Sequence, residues 1–427
     1  MKVVVLGLWH LGCVTAACCA KFFDVIGLDL DQHTVDQLKA GIPPVFEPEL
    51  AELIQEGFAS HRLLFACDPA IALAGADLLW VTYDTPVDDD DNPDVNPILE
   101  GIERCVSFLP DDALVLISSQ VPAGTCAMLE GRYPSKRFVY SPENLRLGKA
   151  IDTFLHQDRI VLGARRVDDF ARVSDLLSNF SSTFQHVSTG SAEMIKHGIN
   201  SFLALSITFM NEIARICEHV GADAWEVERG LKSEPRIGPK AYLSPGGPFA
   251  GGTLARDVVT LNRLAAQAGE ELILISAIKN SNDQHKKWSI QKLREEFGSV
   301  AGRRVAILGL TYKPNTDTLR RSLAIELCRS LIEEQATLKT YDPVVATMPA
   351  DLAHIPITRS LPEAVRGADA TVIATEWPQL LKADWQEAVQ LMNQPIIVDA
   401  NGFLRSKLSE FPGVRYRSVG SPRNYET

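Results

Sequence analysis

The sequence predicts an α/β protein in which two doubly wound parallel sheets are joined by a long central helix and a helical connector. Short apolar strands alternate with amphipathic helices at both ends of the chain, which is typical of parallel sheets covered by helices. Between these regions, residues 191–223 keep a helical periodicity without a proline. With 427 residues, the chain is also too long for one compact core.

The first predicted sheet is built from short apolar runs in the first 163 residues. Its strands are VVVLG, DVIGLDL, LLWVTY, ALVLISS, FVYS and RIVLG. Helical segments such as TVDQLKAG and PILEGIERCVSFL separate them. Residues 3–20 carry no charged side chain, but they divide into a strand, a Gly-flanked turn and a small-residue helix, so we expect the start of a sheet and not a signal peptide or membrane span.

The pattern changes after the first sheet and returns near residue 301. A Pro/Gly-rich segment at 234–252 is predicted to be irregular, and a helical stretch is predicted over 257–297. The second sheet is predicted from RRVAILGL, LKTYDP, TVIATEW and PIIVDANG, with SLAIELCRSLIEEQ and ADWQEAVQLMN as helices. We therefore expect a first sheet domain at 1–190, a central helical domain at 191–300 and a second sheet domain at 301–427.

Charge and cysteine content exclude several classes of protein. The formal net charge of -12 disfavours binding to nucleic acid or to an anionic membrane. The eight cysteines contain no CxxC pair, which is typical of reduced thiols in the cytoplasm and disfavours a disulfide scaffold or a zinc site. No metal site is expected.

The turn after the first strand has the spacing of a dinucleotide-binding motif, with one departure. In GxGxxG the glycines allow the turn, the approach of the pyrophosphate and the packing of the helix. Here Gly7 and Gly12 are present, but Trp9 takes the second position. Asp29 ends the second strand, where a carboxylate binds a ribose hydroxyl and repels a 2'-phosphate, so NAD is favoured over NADP. A Rossmann-like domain that has lost cofactor binding stays an alternative.

Several strings in order resemble the UDP-glucose/GDP-mannose dehydrogenase family over nearly the whole chain. They are AEMIKHGINSFLALSITFMNEIARICEHVGAD, EPRIGPKAYLSPGGPFAGGTLARD, VAILGLTYKPNTDTLRRSLAIEL and TVIATEWPQL. The resemblance implies an NAD domain, a central dimerisation helix and a nucleotide-sugar domain. Such enzymes oxidise the C6 hydroxymethyl group of a nucleotide-linked hexose to a carboxylate, using two NAD and a cysteine thioester, and they supply uronic acids for polysaccharides.

Catalytic residues are implied by the resemblance position by position. Lys196 and Asn200 lie one helical turn apart and so share a face, and in the family this pair binds the reacting hydroxyl. Asp257 matches an aspartate that works with a water as base. Glu143 matches a glutamate near the same centre. Thr253 stands at the position of the nucleophile.

Ligand contacts are also implied by the resemblance. The implied cofactor contacts are Gly7, Trp9, His10, Leu11, Gly12, Asp29, Thr85, Pro86 and Gln120. The implied substrate contacts are Arg236, Phe249, Gly252, Lys313 and Arg320, with Arg236 reaching over from a second subunit of a homodimer. Fixed guanidinium charges suit a diphosphate.

The sequence departs from the family at the reacting centre. The family's GGSCFPKD string corresponds to residues 251–257, where Thr253 replaces the cysteine, and no cysteine lies between Cys217 and Cys328. An alcohol supplies almost no alkoxide at neutral pH and cannot form a thioester. In addition, Gln120 stands where a threonine is common, and Leu147 where a second glutamate is often found.

We therefore expect an NAD-dependent oxidoreductase acting on a nucleotide sugar, most simply a UDP-sugar. Without the cysteine it would stop after one hydride transfer or oxidise an aldehyde hydrate without a covalent intermediate. The alternative is a non-catalytic nucleotide-sugar-binding or regulatory homologue. A third hypothesis is that the protein is a relative of the hydroxyacid and 6-phosphogluconate dehydrogenases. The second predicted sheet domain argues against it, because those enzymes usually lack one.

Overall fold

The computed structural model describes residues 1–88 and 90–422, and the chain folds as two compact units, Met1–Ile199 and Asn200–Thr427. Each unit contains one sheet. No helix among the described residues is long and apolar enough to cross a membrane.

The sheet of the first unit has its strands in the order β3-β2-β1-β4-β5-β6-β7-β8. The strands are β1 Lys2–Leu6, β2 Asp24–Leu28, β3 Leu63–Ala66, β4 Leu78–Val81, β5 Leu114–Ile117, β6 Arg137–Tyr140, β7 Ile160–Ala164 and β8 Phe184–Val187. Both faces are buried: Val3 and Val5 of β1 point into one apolar core, and Val4 and Leu6 into another. Burial on both faces explains why the central strands read as continuous apolar runs.

Helices connect these strands and cover the two faces. They are α1 His10–Cys19, α2 Gln32–Lys39, α3 Leu50–Ala59, α4 Pro69–Leu73, α5 Asn96–Val106, α6 Thr125–Arg132, α7 Ala150–Leu155 and α8 Val167–Leu177. The order of strands reverses at β1, which pairs with β2 on one side and β4 on the other. In a doubly wound sheet, the crevice at the carboxyl ends of such neighbouring strands is where ligands bind.

One strand pair corrects the prediction of a wholly parallel sheet. β7 is antiparallel to β6, with Val139 opposite Ala164, and parallel to β8. An antiparallel neighbour begins at the edge where the preceding strand ends, so the chain between β6 and β7 does not cross the sheet. Residues 141–149 therefore stay at the carboxyl end of β6, which is the edge that carries the candidate site.

The second unit has a five-stranded parallel sheet in the order β10-β9-β11-β12-β13. Its strands are β9 Arg304–Leu308, β10 Thr337–Tyr341, β11 Ala370–Ile373, β12 Ile396–Asp399 and β13 Arg415–Arg417. Its helices are α14 Leu323–Glu333, α15 Leu361–Val365, α16 Pro378–Lys382, α17 Trp385–Leu391 and α18 Arg405–Leu408, with a 3₁₀ turn at Ala350–Leu352. Val305 and Ile307 face one core, and Ala306 and Leu308 the other.

The predicted long central helix is confirmed as α9, Thr189–Val220, whose 32 residues run from the first unit into the second. Irregular chain over 234–252 is also confirmed. The helical stretch after it is divided into three helices: Gly269 ends α11 with a positive φ, α12 ends at His285, and Gly298 ends α13 with a positive φ. The helices of this part are α10 Ala224–Ser233, α11 Thr253–Ala268, α12 Ile273–His285 and α13 Trp288–Phe297.

Candidate active site

The turn between β1 and α1 has the backbone of a dinucleotide-binding turn. Gly7 has φ +92°, a value that favours glycine, and its N–H donates to the Leu28 carbonyl. A Cβ on Gly12 would come within 1.9 Å of the Gly7 carbonyl oxygen, so only glycine lets the helix pack this close. Both glycines of the predicted motif are therefore required by the geometry.

Trp9 occupies the remaining position of the motif without strain. Its φ of -86° is ordinary for any residue, and its side chain is 45% exposed. Trp9 is the N-cap residue of α1 and gives the helix no side-chain cap. The first N–H groups of α1, which begins with His10 and Leu11, can therefore receive an anion at the helix N-terminus.

The carboxylate of Asp29 closes the turn from the next strand. Asp29 Oδ2 accepts the Leu8 N–H at 2.7 Å, and Oδ1 accepts the Asp31 N–H at 3.0 Å. Each carboxylate oxygen can accept a further hydrogen bond, so ribose hydroxyls can still bind here. Together with the glycine turn and the uncapped helix, this carboxylate fits NAD.

Further predicted cofactor residues lie beyond the carboxyl ends of β4 and β5. Thr85 and Gln120 are both buried, and the Thr85 hydroxyl donates to the Gln120 carbonyl at 2.6 Å. Pro86 is next to Thr85 in the same segment. Glu193, which the sequence did not single out, holds the Gln120 segment by accepting the Gly124 and Cys126 N–H groups at 2.6 and 2.8 Å.

Lys196 and Glu143 are brought together in the first unit. The Lys196 ammonium donates to the Glu143 carbonyl oxygen at 2.5 Å and lies 3.5 Å from the carboxylate oxygen Oε1. The other carboxylate oxygen accepts the Leu145 N–H at 2.8 Å. We define residues 141–149 as the Glu143 loop. The Lys196 side chain is only 6% exposed and needs its charge compensated, and groups of the Glu143 loop do so.

Asn200 and Asp257 are brought together in the second unit. The Asn200 amide donates to Asp257 Oδ2 at 2.5 Å, and Asp257 is fully buried in α11. Lys196 and Asn200 are on consecutive turns of α9, as the spacing predicts. Each of these two α9 side chains is therefore paired with a carboxylate of its own unit.

Thr253 begins α11, four positions before Asp257, and it is exposed. Within residues 200–422, no side chain that the structure describes forms a hydrogen bond with its hydroxyl. Alkoxide formation on threonine needs an adjacent base. Among the described side chains of residues 200–422, none therefore acts as a base on the Thr253 hydroxyl.

The segment that carries Phe249 and Gly252 is held by buried polar side chains that sequence analysis missed. The amide of Asn282 binds both the N–H and the carbonyl of Phe249 at 2.9 and 2.8 Å. Asn211 accepts the Gly246 N–H at 3.0 Å. The conformation of this irregular segment is therefore fixed by side chains from helices α9 and α12.

His285 completes this set of contacts as a neutral imidazole. Its Nε2 lies 2.7 Å from the Gly246 carbonyl oxygen, and its Nδ1 is 3.3 Å from an Arg215 nitrogen. Since a carbonyl only accepts, Nε2 carries the proton and Nδ1 accepts from Arg215. Burial, and secondarily the Arg215 charge, lowers the pKa of His285 to about 4.

The predicted substrate cations occupy two irregular segments of the second unit. Lys313 and Arg320 are exposed and lie between β9 and α14. Arg236 is in the 234–252 segment, has a side chain that is 88% exposed, and pairs with Glu234 at 2.8 Å. Arg256, which precedes Asp257, is a further buried cation that the sequence analysis passed over.

Models of one family match successive parts of the chain. The NAD binding domain of the UDP-glucose/GDP-mannose dehydrogenase family matches residues 1–181, its central domain matches residues 190–284, and its UDP binding domain matches residues 306–406. The NAD-binding match agrees with the residues that fit NAD in the first unit.

Relatives of known name span the same length. The chain is 31% identical to the UDP-glucose 6-dehydrogenase TuaD of Bacillus subtilis over 99% of its own length and 93% of that protein. It is 33% identical to a UDP-glucose 6-dehydrogenase of Rhizobium meliloti, with 99% and 100% coverage.

A solved UDP-glucose dehydrogenase of Pyrobaculum islandicum superposes with a TM-score of 0.85 at 27% identity, covering 98% of this chain and 97% of that one. These similarities favour the oxidoreductase over the non-catalytic alternative and over the hydroxyacid dehydrogenase hypothesis. The chain therefore belongs to the UDP-glucose/GDP-mannose dehydrogenase family and is an NAD-dependent nucleotide-sugar oxidoreductase that acts on a CH–OH group.

Proposed function

We propose that this protein oxidises the C6 hydroxymethyl group of a UDP-hexose, with UDP-glucose as the first candidate, and that it releases the product of one hydride transfer. The relatives named UDP-glucose 6-dehydrogenase support the substrate. The observation that carries the two-electron outcome is Thr253, which stands in place of the thiol.

The residues around α9 supply the groups that an alcohol oxidation needs. Bound NAD supplies the hydride acceptor for the hydrogen on C6. The hydroxyl proton must go to a base, and the buried Asp257 carboxylate, held by Asn200, is the candidate acceptor, directly or through a water. The Lys196 ammonium can stabilise the developing negative charge on oxygen. The products of this step are an aldehyde, NADH and a proton.

A second oxidation in the family requires a thiol that adds to the aldehyde. Thr253 has no such thiol, and within residues 200–422 no described side chain bonds to its hydroxyl. We therefore expect the covalent route to the carboxylate to be blocked. Direct oxidation of the aldehyde hydrate is the competing outcome of the experiment.

The test is the number of NADH molecules formed per UDP-glucose consumed. We expect one for the wild type and up to two for Thr253→Cys, with Thr253→Ser as the matched control that stays at one. Two NADH from the wild type would establish the hydrate route. No NADH from a panel of UDP-hexoses would overturn the proposed function.

A homodimer is part of this proposal. Phe202, Phe209 and Ile216 recur at every seventh position of α9 and are 65%, 46% and 61% exposed, which forms an apolar stripe on one helix face. The exposed Arg236 is suited to reach a site in the second subunit. Phe209→Glu should shift the mass measured by sedimentation from dimer to monomer, and an unchanged mass would contradict the stripe as an interface.

The proposal also includes a cytoplasmic location, a role in polysaccharide synthesis and three domains. Each cysteine in the described residues is a free thiol, which supports a cytoplasmic location. Polysaccharide biosynthesis is the expected downstream use of the oxidised sugar, whose aldehyde needs a further two-electron oxidation to become a uronic acid. We retain domain limits of 1–190, 191–300 and 301–427.

A further inference from the structure

The first residue of α1 is joined to a distant carboxylate. His10 Nε2 and Glu47 Oε2 are 2.8 Å apart, and their side chains are 16% and 1% exposed. His10 comes directly after the N-cap Trp9, whereas Glu47 lies in the irregular chain between α2 and α3. A group at the cofactor turn is therefore in contact with a buried acid that is remote in sequence.

The same carboxylate also holds the end of the Glu143 loop. Glu47 Oε2 accepts the Gly148 N–H, and Oε1 accepts the Ala150 N–H, both at 2.8 Å. One side chain thus bonds to donors from the cofactor turn and from the loop. Burial alone would raise the pKa of Glu47, but these hydrogen bonds outweigh it and hold the pKa below its usual value.

The Glu143 loop is therefore fixed near both of its ends. Toward its start, the Glu143 carbonyl oxygen accepts the Lys196 ammonium at 2.5 Å. At its end, Glu47 holds the two N–H groups at Gly148 and Ala150. Movement of the Glu47 carboxylate would change the position of the loop that presents the Glu143 side chain.

We propose that Glu47 is a positioning residue, which couples NAD binding at the Gly7–Gly12 turn to the placement of Glu143 through His10. Because coupling between two sites is reciprocal, ordering the turn stabilises the loop and ordering the loop favours NAD binding. The role given to Glu143 rests on the proposed function, whereas the coupling to NAD does not.

The chemistry of Glu47 explains why a carboxylate is required. An ionised carboxylate only accepts hydrogen bonds and has room for several donors on its two oxygens. A glutamine would present an NH₂ group to at least one of the donors from His10, Gly148 or Ala150. Glu47→Gln therefore keeps the size of the side chain but loses part of the connection.

The central experiment compares two substitutions of His10. His10→Leu removes the donor to Glu47 and leaves the Glu47 bonds to the loop, whereas His10→Gln retains an N–H donor of similar reach. We measure the NAD dissociation constant by calorimetry, and the hydrogen exchange of the Gly148 and Ala150 amides with and without NAD.

In the wild type, NAD should slow exchange at both amides. In His10→Leu this protection should be lost, and the NAD dissociation constant should rise by about tenfold. His10→Gln should restore both quantities. Glu47→Gln should lose the protection and lower kcat about tenfold, while KM for the sugar nucleotide stays unchanged.

The melting temperature in the absence of ligand serves as the folding control for each variant. NAD protection that persists in His10→Leu would overturn the coupling, because His10 would then act on the cofactor alone. Equal losses in His10→Leu and His10→Gln would overturn it too, because the imidazole itself would be required. Failure of the proposed function would appear separately, as a wild type that protects these amides on binding NAD but forms no NADH.

Discussion

Both sheets of this protein begin with the same turn. Gly7 and Gly309 come directly after the first strand of their sheets, with φ values of +92° and +88°. The next residue, Leu8 or Leu310, donates its N–H at 2.7 Å to the aspartate at the end of the neighbouring strand, Asp29 or Asp342. The shared contacts hold the turn and do not define a ligand.

The two turns differ in the segment that comes next along the chain. In the first sheet, α1 starts at once with His10, so helix N–H groups and a glycine-lined backbone are available to a pyrophosphate. In the second sheet, residues 311–322 intervene before α14 and carry exposed cations instead. The same turn can therefore precede two different sets of binding groups, because the segment that follows it differs.

Glycine-to-alanine substitutions give the largest expected effect on this comparison. A Cβ on Gly309 would meet backbone and Cβ atoms of Thr375 at 2.4–2.8 Å, whereas a Cβ on Gly7 would first meet the Tyr83 ring at 2.7 Å. Gly309→Ala should therefore cost about 4 kcal/mol in stability and Gly7→Ala about 2 kcal/mol, since the contacts at Gly309 are shorter and involve more backbone atoms.

Thermal melts and ligand binding measured on both variants check this expectation. Gly7→Ala should weaken NAD binding, and Gly309→Ala should weaken UDP binding. If either variant weakened the binding of both ligands equally, the assignment of one ligand to each turn would be wrong.

The next largest effect is a difference in acid sensitivity. The site segments of the two units are held by different ionisable groups, so they should lose stability over different pH ranges. The pKa of His285 is about 4 in the folded protein against an ordinary value of 6.5, so its stabilising effect is complete above pH 6.5 and is lost as the pH falls toward 4. The loss amounts to about 3 kcal/mol. Glu47, with a pKa held below 4.5, loses its contribution only at lower pH.

Urea unfolding between pH 7 and pH 4.5 provides the measurement. His285→Gln, which keeps a donor for the Gly246 carbonyl but does not titrate, should remove most of the pH dependence. Glu47→Gln should leave that dependence in place over this range. A wild-type stability that does not change with pH would contradict the neutral, buried imidazole.

Substituting the two turn aspartates should give the smallest effects. Asp342 accepts hydrogen bonds from four backbone N–H groups and the Trp377 indole, whereas Asp29 accepts from Leu8 and Asp31. Asp342→Asn leaves buried donors unpaired and should cost about 2 kcal/mol.

Asp29→Asn should change stability by less than about 1 kcal/mol but should raise the NAD dissociation constant about tenfold. Calorimetry and melting curves on the pair of variants distinguish these outcomes. If Asp29→Asn proved the more destabilising change, the assignment of spare acceptor capacity to Asp29 would be wrong.

Local patterns in the sequence predicted most of the sheet strands, because central strands buried on both faces are apolar throughout. The missed strands are β3, β8 and β13, which lie at or near sheet edges and include exposed residues such as Leu64 and His186. Edge strands are buried less completely, so their residues lose the apolar signature.

At the candidate site, the sequence revealed contacts that are local along the chain but not contacts between distant residues. Lys196 and Asn200 could be paired from the sequence, because helix geometry fixes their spacing. Glu47 could not be connected to His10 or Gly148, because those contacts span 37 and 101 residues. The amides and imidazole that hold the Phe249 segment are also brought in by tertiary packing alone.

The exposed indole of Trp9 has a practical consequence. Trp80, Trp288, Trp377 and Trp385 are at most 4% exposed, and Trp225 is partly covered, whereas Trp9 is 45% exposed. A water-soluble quencher such as acrylamide will therefore reach the ring beside the glycine turn before the others. The intrinsic fluorescence of the unlabelled protein can report occupancy of that turn in real time.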